Sequence, residues 1–344
     1  MLKKFLLILP LLFISTMLIS ACGSPGKIDG GSDKAELGGG VIHIKLAHVS
    51  SNDSLTHFVC EKFVEKAKEL LKDRIEIKIY ANAALGSEAE MVEALQMGSL
   101  DAGNFGRHSA IDSRMEVLNL PFLFENDEHA KKVLRGEEGL RIRQSLNDIM
   151  SSKGITVLGW YETGFREITS NRRIESLEDL KGLLIRTPST ETLVKSFQTW
   201  GASPTAIDLA ELYTALQSGV VDAQENPYQL IDTNKLYEVQ DYLCITNHLM
   251  IPNQLVFSKK IWDTYPEDVK SALIEAGIYA CNEGGEYNRE NSEILKKKLA
   301  DKMIVTHMNE TSLSTMKTVA LEKVWSQFVK DDTKQIVTDI QSLK

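Results

Sequence analysis

The sequence predicts an α/β protein built as two lobes, and three observations carry that expectation. Short runs of β-branched and aliphatic residues alternate with stretches of helical spacing. A helix–glycine–strand unit occurs twice, and a long helical pattern near the C-terminus suits a piece that braces both lobes.

The elements follow in chain order. Ile42 to Ala47 alternates and reads as a strand. Residues 53–71 place Phe58, Phe63, Val64, Ala67, Leu70 and Leu71 on one helical side. Ile75 to Tyr80 is a second strand, 87–97 a second helix with Gly98 as its stop, and 100–105 a short strand. The rhythm returns with a capping box at Ser176–Asp179, a strand over 183–187 closed by Pro188, a helix opened by Asp208 and Glu211, and a strand over 220–224. Strands separated by helices imply largely parallel sheets. From Pro266 to about residue 302 the pattern is helical, with Gly284-Gly285 expected to interrupt or kink it. A strand near Ile304 and helices over 312–330 and 332–342 end the chain.

The two halves align directly. Residues 90–102 (EMVEALQMGSLDA) overlay 211–223 (ELYTALQSGVVDA) with seven of thirteen positions identical. Two convergent capped helices would explain this; two related lobes explain it with the repeated rhythm as well. In open α/β sheets ligands sit beyond the carboxyl ends of strands, so two such lobes face each other across a cleft. The repeat strands would deliver Asn104 or Phe105 from one lobe and Glu225 or Asn226 from the other.

Composition bounds the function. A 344-residue chain has room for two domains, and a net charge of −9 argues against nucleic acid. It does not exclude a small anion, because local arginines decide that. Cys22, Cys60, Cys244 and Cys281 have neither C-x-x-C nor zinc spacing, so the last three read as buried thiols. The histidines show no metal spacing, no nucleophile or nucleotide motif is present, and no cofactor or metal is expected.

The N-terminus reads as an export signal: Lys3 and Lys4, an apolar run from Phe5 to Ile14, then Ile19-Ser-Ala-Cys22. Residues 1–21 read as the signal peptide; Ile19–Cys22 resembles a bacterial lipobox, with Cys22 the expected lipidation site, although a plain cleaved signal is the alternative. Residues 22–40, rich in Gly, Ser, Asp and Lys, form a flexible tether. The folded part is expected outside the cytoplasm, held to the bacterial cell membrane by lipid.

Two arginines and an amide stand at strand ends. Arg166 follows Gly164, Arg186 precedes Thr187-Pro188, and Asn226 precedes Pro227. The guanidinium fork matches a carboxylate, so these three suggest an acid-binding site. Each has an ordinary alternative: a surface ion pair for Arg186 (with Glu178 or Asp179) and for Arg166, a backbone-holding amide for Asn226. His48 and Arg107 end strands of the first lobe and are candidates for the facing wall. Glu225 would either receive ligand hydroxyls or pair with an arginine. Trp160 and Tyr161 are cleft or core aromatics.

In order along the chain stand Leu85-Gly86, Leu120-Pro-Phe-Leu-Phe124, Gly164-Phe-Arg166, Leu180-Lys-Gly-Leu-Leu-Ile-Arg186, Gly201-Ala-Ser-Pro204, Glu211-x-Tyr213-x-Ala-Leu-Gln217, Val221-Asp-Ala-Gln-Glu-Asn-Pro227, and Tyr237-Glu-Val-Gln240 with His248. This set resembles the DctP-type solute-binding proteins of TRAP transporters, over about residues 41–330. The resemblance implies a two-lobed, periplasmic-binding-protein-like (Venus flytrap) fold with discontinuous lobes and a long bridging helix. The lobes are expected at 41–163 plus 252–291 and at 164–251 plus 292–344. It also implies that Arg186 pairs with a ligand carboxylate, that Arg166 faces the ligand and that Asn226 hydrogen-bonds it. His48, Arg107 and Leu209 hold more variable cleft positions, and Ala223 stands where glycine is usual.

The expected function is capture of an organic acid anion, a uronate, aldonate or C4-dicarboxylate, for delivery to TRAP permease subunits. Hydroxyl-rich acids are favoured because Glu225, Asn104 and Asp208 could serve as polar partners. A sensory lipoprotein for the same acids is the alternative. A monomer without enzymatic activity and without nucleic-acid partners is expected.

Overall fold

Eleven strands organise residues 40–344, the part of the chain that the computed structural model describes. They are β1 (Ile42–Ala47), β2 (Ile75–Tyr80), β3 (Ala102–Phe105), β4 (Ile155–Tyr161), β5 (Arg166–Ser170), β6 (Leu184–Thr187), β7 (Ser203–Ala206), β8 (Ala223–Pro227), β9 (Tyr242–Leu249), β10 (Asn253–Ser258) and β11 (Ile304–His307). One sheet has the order β2-β1-β3-β10-β4 and the other β11-β9-β5-β8-β6-β7. Read from its opposite edge, the second sheet repeats the first, with β11 added beyond β9. The proposed export signal, tether and Cys22 lie outside the described residues.

The sheets are mixed rather than largely parallel. β1 pairs in parallel with β2 and β3, and β6 with β7 and β8. β10 runs antiparallel to both its neighbours, and so does β5. The reason is the route of the chain. β4 ends at the cleft, crosses to the other lobe and enters it as β5 from that same side. β9 ends there too and returns as β10.

The repeated units occupy equivalent places. Ser87 caps the helix Glu88–Met97 in a capping box with Glu90, and Gly98 closes it at φ 79° before β3. The helix Leu209–Gln217 is followed by Gly219 at φ 70° before β8. Only glycine takes this left-handed turn without cost, which explains its recurrence in both units.

Both sheets are covered on two faces. Along β10, Val256 joins the core built around Met115, Leu118 and Trp160, while Leu255 and Phe257 join the core around Phe63 and Leu273. In the second lobe, Ile168, Ile185 and Phe197 pack on one side and Leu212, Leu216 and Leu243 on the other. Cys60, Cys244 and Cys281 are free and buried as expected; burial pushes the Cys60 and Cys244 thiols up to about 12.

The helix Glu267–Ala300 is continuous through Gly284-Gly285, contrary to the expected interruption. A Cβ on Gly284 would lie 2.3 Å from Val59 Cγ2, and one on Gly285 would lie 2.5 Å from the Arg135 guanidinium. Gly284 therefore lets this helix press onto the helix Leu55–Leu71, and Gly285 leaves room for Arg135. Its first half joins the first lobe through Leu273, Ala276 and Ala280. Its end joins the second through Leu299 and a 2.7 Å pair between Lys298 and Asp232.

One expectation of lobe membership needs correction. The expected second lobe takes in all of residues 292–344, but the helix Asp331–Ser342 buries Ile336, Val337 and Ile340 in the core around Leu146 and Ile149 of the first. Trp325 donates to the Pro121 carbonyl at 3.0 Å. Apolar packing thus carries the chain end back across the lobe boundary.

Candidate ligand-binding site

The carboxyl ends of β1, β3, β6 and β8 and the first residues of β5 and β10 converge on one cavity of about 310 Å³, the scale of a small ligand site. Arg166, Arg186 and Asn226 line it from the second lobe. Arg107, Glu88 and Ser50 line it from the first.

Arg166 is fixed before any ligand arrives. Its Nε donates to the Glu225 carboxylate, and Nη2 donates to Glu225 Oε1 at 2.8 Å, to the Glu225 carbonyl at 2.7 Å and to Asn226 Oδ1 at 2.9 Å. Asn226 Nδ2 donates to Gln224 Oε1 at 2.5 Å, so the amide orientation is set by this chain of bonds. Burial pushes the Glu225 carboxyl up, but Arg166 beside it, assisted by His248, more than offsets this and holds it below its usual range.

Arg186 differs in kind. It is only 3% exposed, and its Nε donates to the Ile207 carbonyl at 2.8 Å. Among the described residues no carboxylate lies within 4.0 Å of its guanidinium. The surface partners considered from sequence are engaged elsewhere: Glu178 with Lys181 and Asp179 with the backbone and hydroxyl of Ser176. Burial lowers its pKa to about 10, with Glu225 opposing the shift. A buried guanidinium with its fork directed to a cavity and no fixed counter-charge is matched by a mobile anion.

One candidate, His48, is misplaced by sequence reasoning, and a second, Glu225, takes the arginine-pairing alternative rather than the ligand one. His48 is fully buried and does not line the cavity; its Nε2 meets His57 Nδ1 at 3.0 Å, and burial, with His57 next to it, lowers its pKa to about 4. The chain turns after β1, so Val49 and Ser50 reach the cavity in its place. Glu225 is also fully buried and serves Arg166 rather than a ligand. The tentative hydroxyl partner Asn104 is likewise committed, with Nδ2 donating to the Thr56 carbonyl at 3.2 Å and Oδ1 accepting from Tyr161 at 2.9 Å. Trp160 and Tyr161 are core. Arg107, Asp208 and Leu209 do line the cavity.

Glu88 and Gln229 escaped sequence reasoning. Glu88 looked like an ordinary acid in the first turn of a capped helix, where the helix dipole favours it. Burial raises its pKa, with the Gly106 backbone and Arg107 opposing. Gln229 lies just beyond Pro227, and its Nε2 is buried without a partner, as is Arg107 Nε. Thr190 and Asn253 add further polar lining.

Two α/β lobes closing on a cavity that holds an unpaired arginine define a binding protein for a small anionic solute. The chain belongs to the bacterial extracellular solute-binding protein family 7, DctP, whose model matches residues 46–332. It is 31% identical over 264 residues to the C4-dicarboxylate-binding periplasmic protein DctP of Rhodobacter capsulatus, covering 74% of this chain and 78% of that protein. A TRAP periplasmic solute-binding protein from Haemophilus influenzae, solved with L-gulonate, superposes with a TM-score of 0.82 at 30% identity, covering 88% of this chain and 99% of the other. The sugar-acid-binding protein of Advenella mimigardefordensis, solved with galactonate, gives 0.82 at 28%, covering 89% and 99%. The family is one of extracytoplasmic solute-binding proteins rather than enzymes.

Proposed function

We propose that this protein captures an organic acid anion outside the cytoplasm and delivers it to the membrane subunits of a TRAP transporter. The ligand is a sugar acid or a C4-dicarboxylate, classes that relatives carry in their names or crystals. Arg186 is the residue that supports this reading best, because it is a buried cation at the cavity with no carboxylate within 4.0 Å among the described residues. A ligand carboxylate, ionised at neutral pH, takes both prongs of its fork. Arg166 and Asn226 present further donors from the same wall. Closure of the lobes follows because only the closed form lets one ligand touch both walls. Cys22 carries the lipid that holds the receptor at the membrane, with residues 22–40 as leash.

A thermal-shift screen of the protein against carboxylic acids, each paired with its methyl ester, tests this. An acid that binds raises the midpoint, and its ester does not. Equal shifts for acid and ester, or shifts from neutral sugars alone, exclude an arginine-anchored anion. Metabolic labelling with a palmitate analogue tests the anchor: Cys22→Ala loses the label, and a label that persists contradicts the assignment.

A further inference from the structure

The acid-capture reading leaves open what the wall opposite Arg186 does. Glu88 opens the helix Glu88–Met97, and Arg107 follows β3; both line the cavity from the first lobe. No ion pair within 4.0 Å joins them or ties either to another described residue, and Arg107 Nε has no hydrogen-bond partner. The charged groups that act on Glu88 are Arg107 from its own lobe and Asp208 and Arg186 from across the cleft.

We propose that Glu88 and Arg107 select polyhydroxylated monocarboxylates, aldonates or uronates, over dicarboxylates by gripping hydroxyls at the end of the ligand remote from Arg186. This rests on the acid-capture reading. A carboxylate only accepts hydrogen bonds and a guanidinium only donates them, whereas a hydroxyl does both. A wall that offers one of each therefore matches a hydroxyl-bearing carbon chain. A second carboxylate would satisfy Arg107 but meet Glu88 and Asp208, and an ammonium group would satisfy Glu88 but meet Arg107. Such like-charge encounters are the repulsive element that selectivity needs. Burial already disfavours the charged form of Glu88, and another anion beside it adds to that cost. The hydroxyl partners expected from sequence, Glu225 and Asn104, are unavailable, so this role falls to the residues at the cavity surface.

Isothermal titration of the protein with D-gluconate, D-galactonate, D-glucuronate, succinate and fumarate tests the assignment. The best sugar acid binds at least tenfold tighter than either dicarboxylate. Glu88→Gln shrinks that ratio at least tenfold, by weakening the sugar acid while sparing or strengthening succinate. Arg107→Gln, the second variant, weakens the sugar acid by a similar factor. The proposal is overturned if succinate binds as tightly as the sugar acids, or if Glu88→Gln changes every acid by one common factor. Arg186→Met separates the two levels. If it abolishes binding of both classes, acid capture stands whatever Glu88 does; if it binds normally, or the wild-type protein binds none of the acids, acid capture itself fails.

Discussion

The two walls of the cavity are made from equivalent strands yet are held by opposite means. On the second lobe, β5 and β6 present buried arginines whose inner nitrogens are bonded: Arg166 by Glu225 and Asn226 of β8, Arg186 by the Ile207 carbonyl. On the first lobe, Arg107 and Glu88 are half-buried and make no ion pair among the described residues, and His48 and His108 of the same lobe are buried. The difference separates anchoring from selection. A carboxylate common to many ligands is met by a preorganised wall, while the part that distinguishes ligands is met by side chains free to adapt.

The largest effect is expected where the rigid wall is broken from behind. Glu225→Gln leaves Arg166 buried beside a neutral amide. Removing one partner of a buried pair costs about 3–5 kcal/mol, so the ligand-free midpoint drops and acid binding weakens in a thermal melt and titration. A melt that does not move shows that Glu225 is dispensable to the wall. Arg186→Met is next and behaves oppositely: acid affinity falls by roughly 2–5 kcal/mol, but the ligand-free protein melts no lower, because an unpaired buried cation has been removed. Such a site is a place where stability is given up for binding.

On the brace, Gly284→Ala puts a methyl group against Val59. Alanine favours the helix by about 1 kcal/mol, but overpacking costs about 1–3 kcal/mol, so a net loss is expected in denaturant unfolding. A stabilised variant contradicts the close approach of the two helices.

The last effect is nil at neutral pH and distinguishes the walls only as the pH falls. His48 is lowered to about 4 and His108 to about 3, in both cases first by burial. The unfolded chain takes up these protons near 6.5, before the folded chain does. Stability is thus full above pH 6.5 and declines by up to about 1.4 kcal/mol per pH unit per histidine as pH falls toward those values. His48→Gln flattens the slope between 6.5 and 4, measured by urea unfolding at several pH values; an unchanged slope contradicts the neutral, buried assignment.

Much of this was legible in the sequence, for identifiable reasons. β1 and β2 run over the residues that the alternation marked, and the 90–102 and 211–223 units lead into β3 and β8, which hold equivalent places. Arg166, Arg186, Asn226 and Arg107 all reach the cavity, because a polar residue at the end of an apolar strand has few other places to go. His48 also ends a strand, yet it turns inward to His57, and nothing in a linear pattern sets that rotation. Glu88 was hidden by its cap, since acids in first turns are ordinary. Gly284-Gly285 looked like a break because composition does not show that a second helix lies against it.

The central claim is that Arg186 and the ligand carboxylate recognise each other directly, and a double-mutant cycle measures this. The tightest acid and its methyl ester are titrated into the wild-type protein and into Arg186→Met. The account predicts that the acid outbinds the ester by roughly 2–5 kcal/mol in the wild type and that this advantage disappears in the variant. An acid that keeps its full advantage over the ester without Arg186 contradicts it.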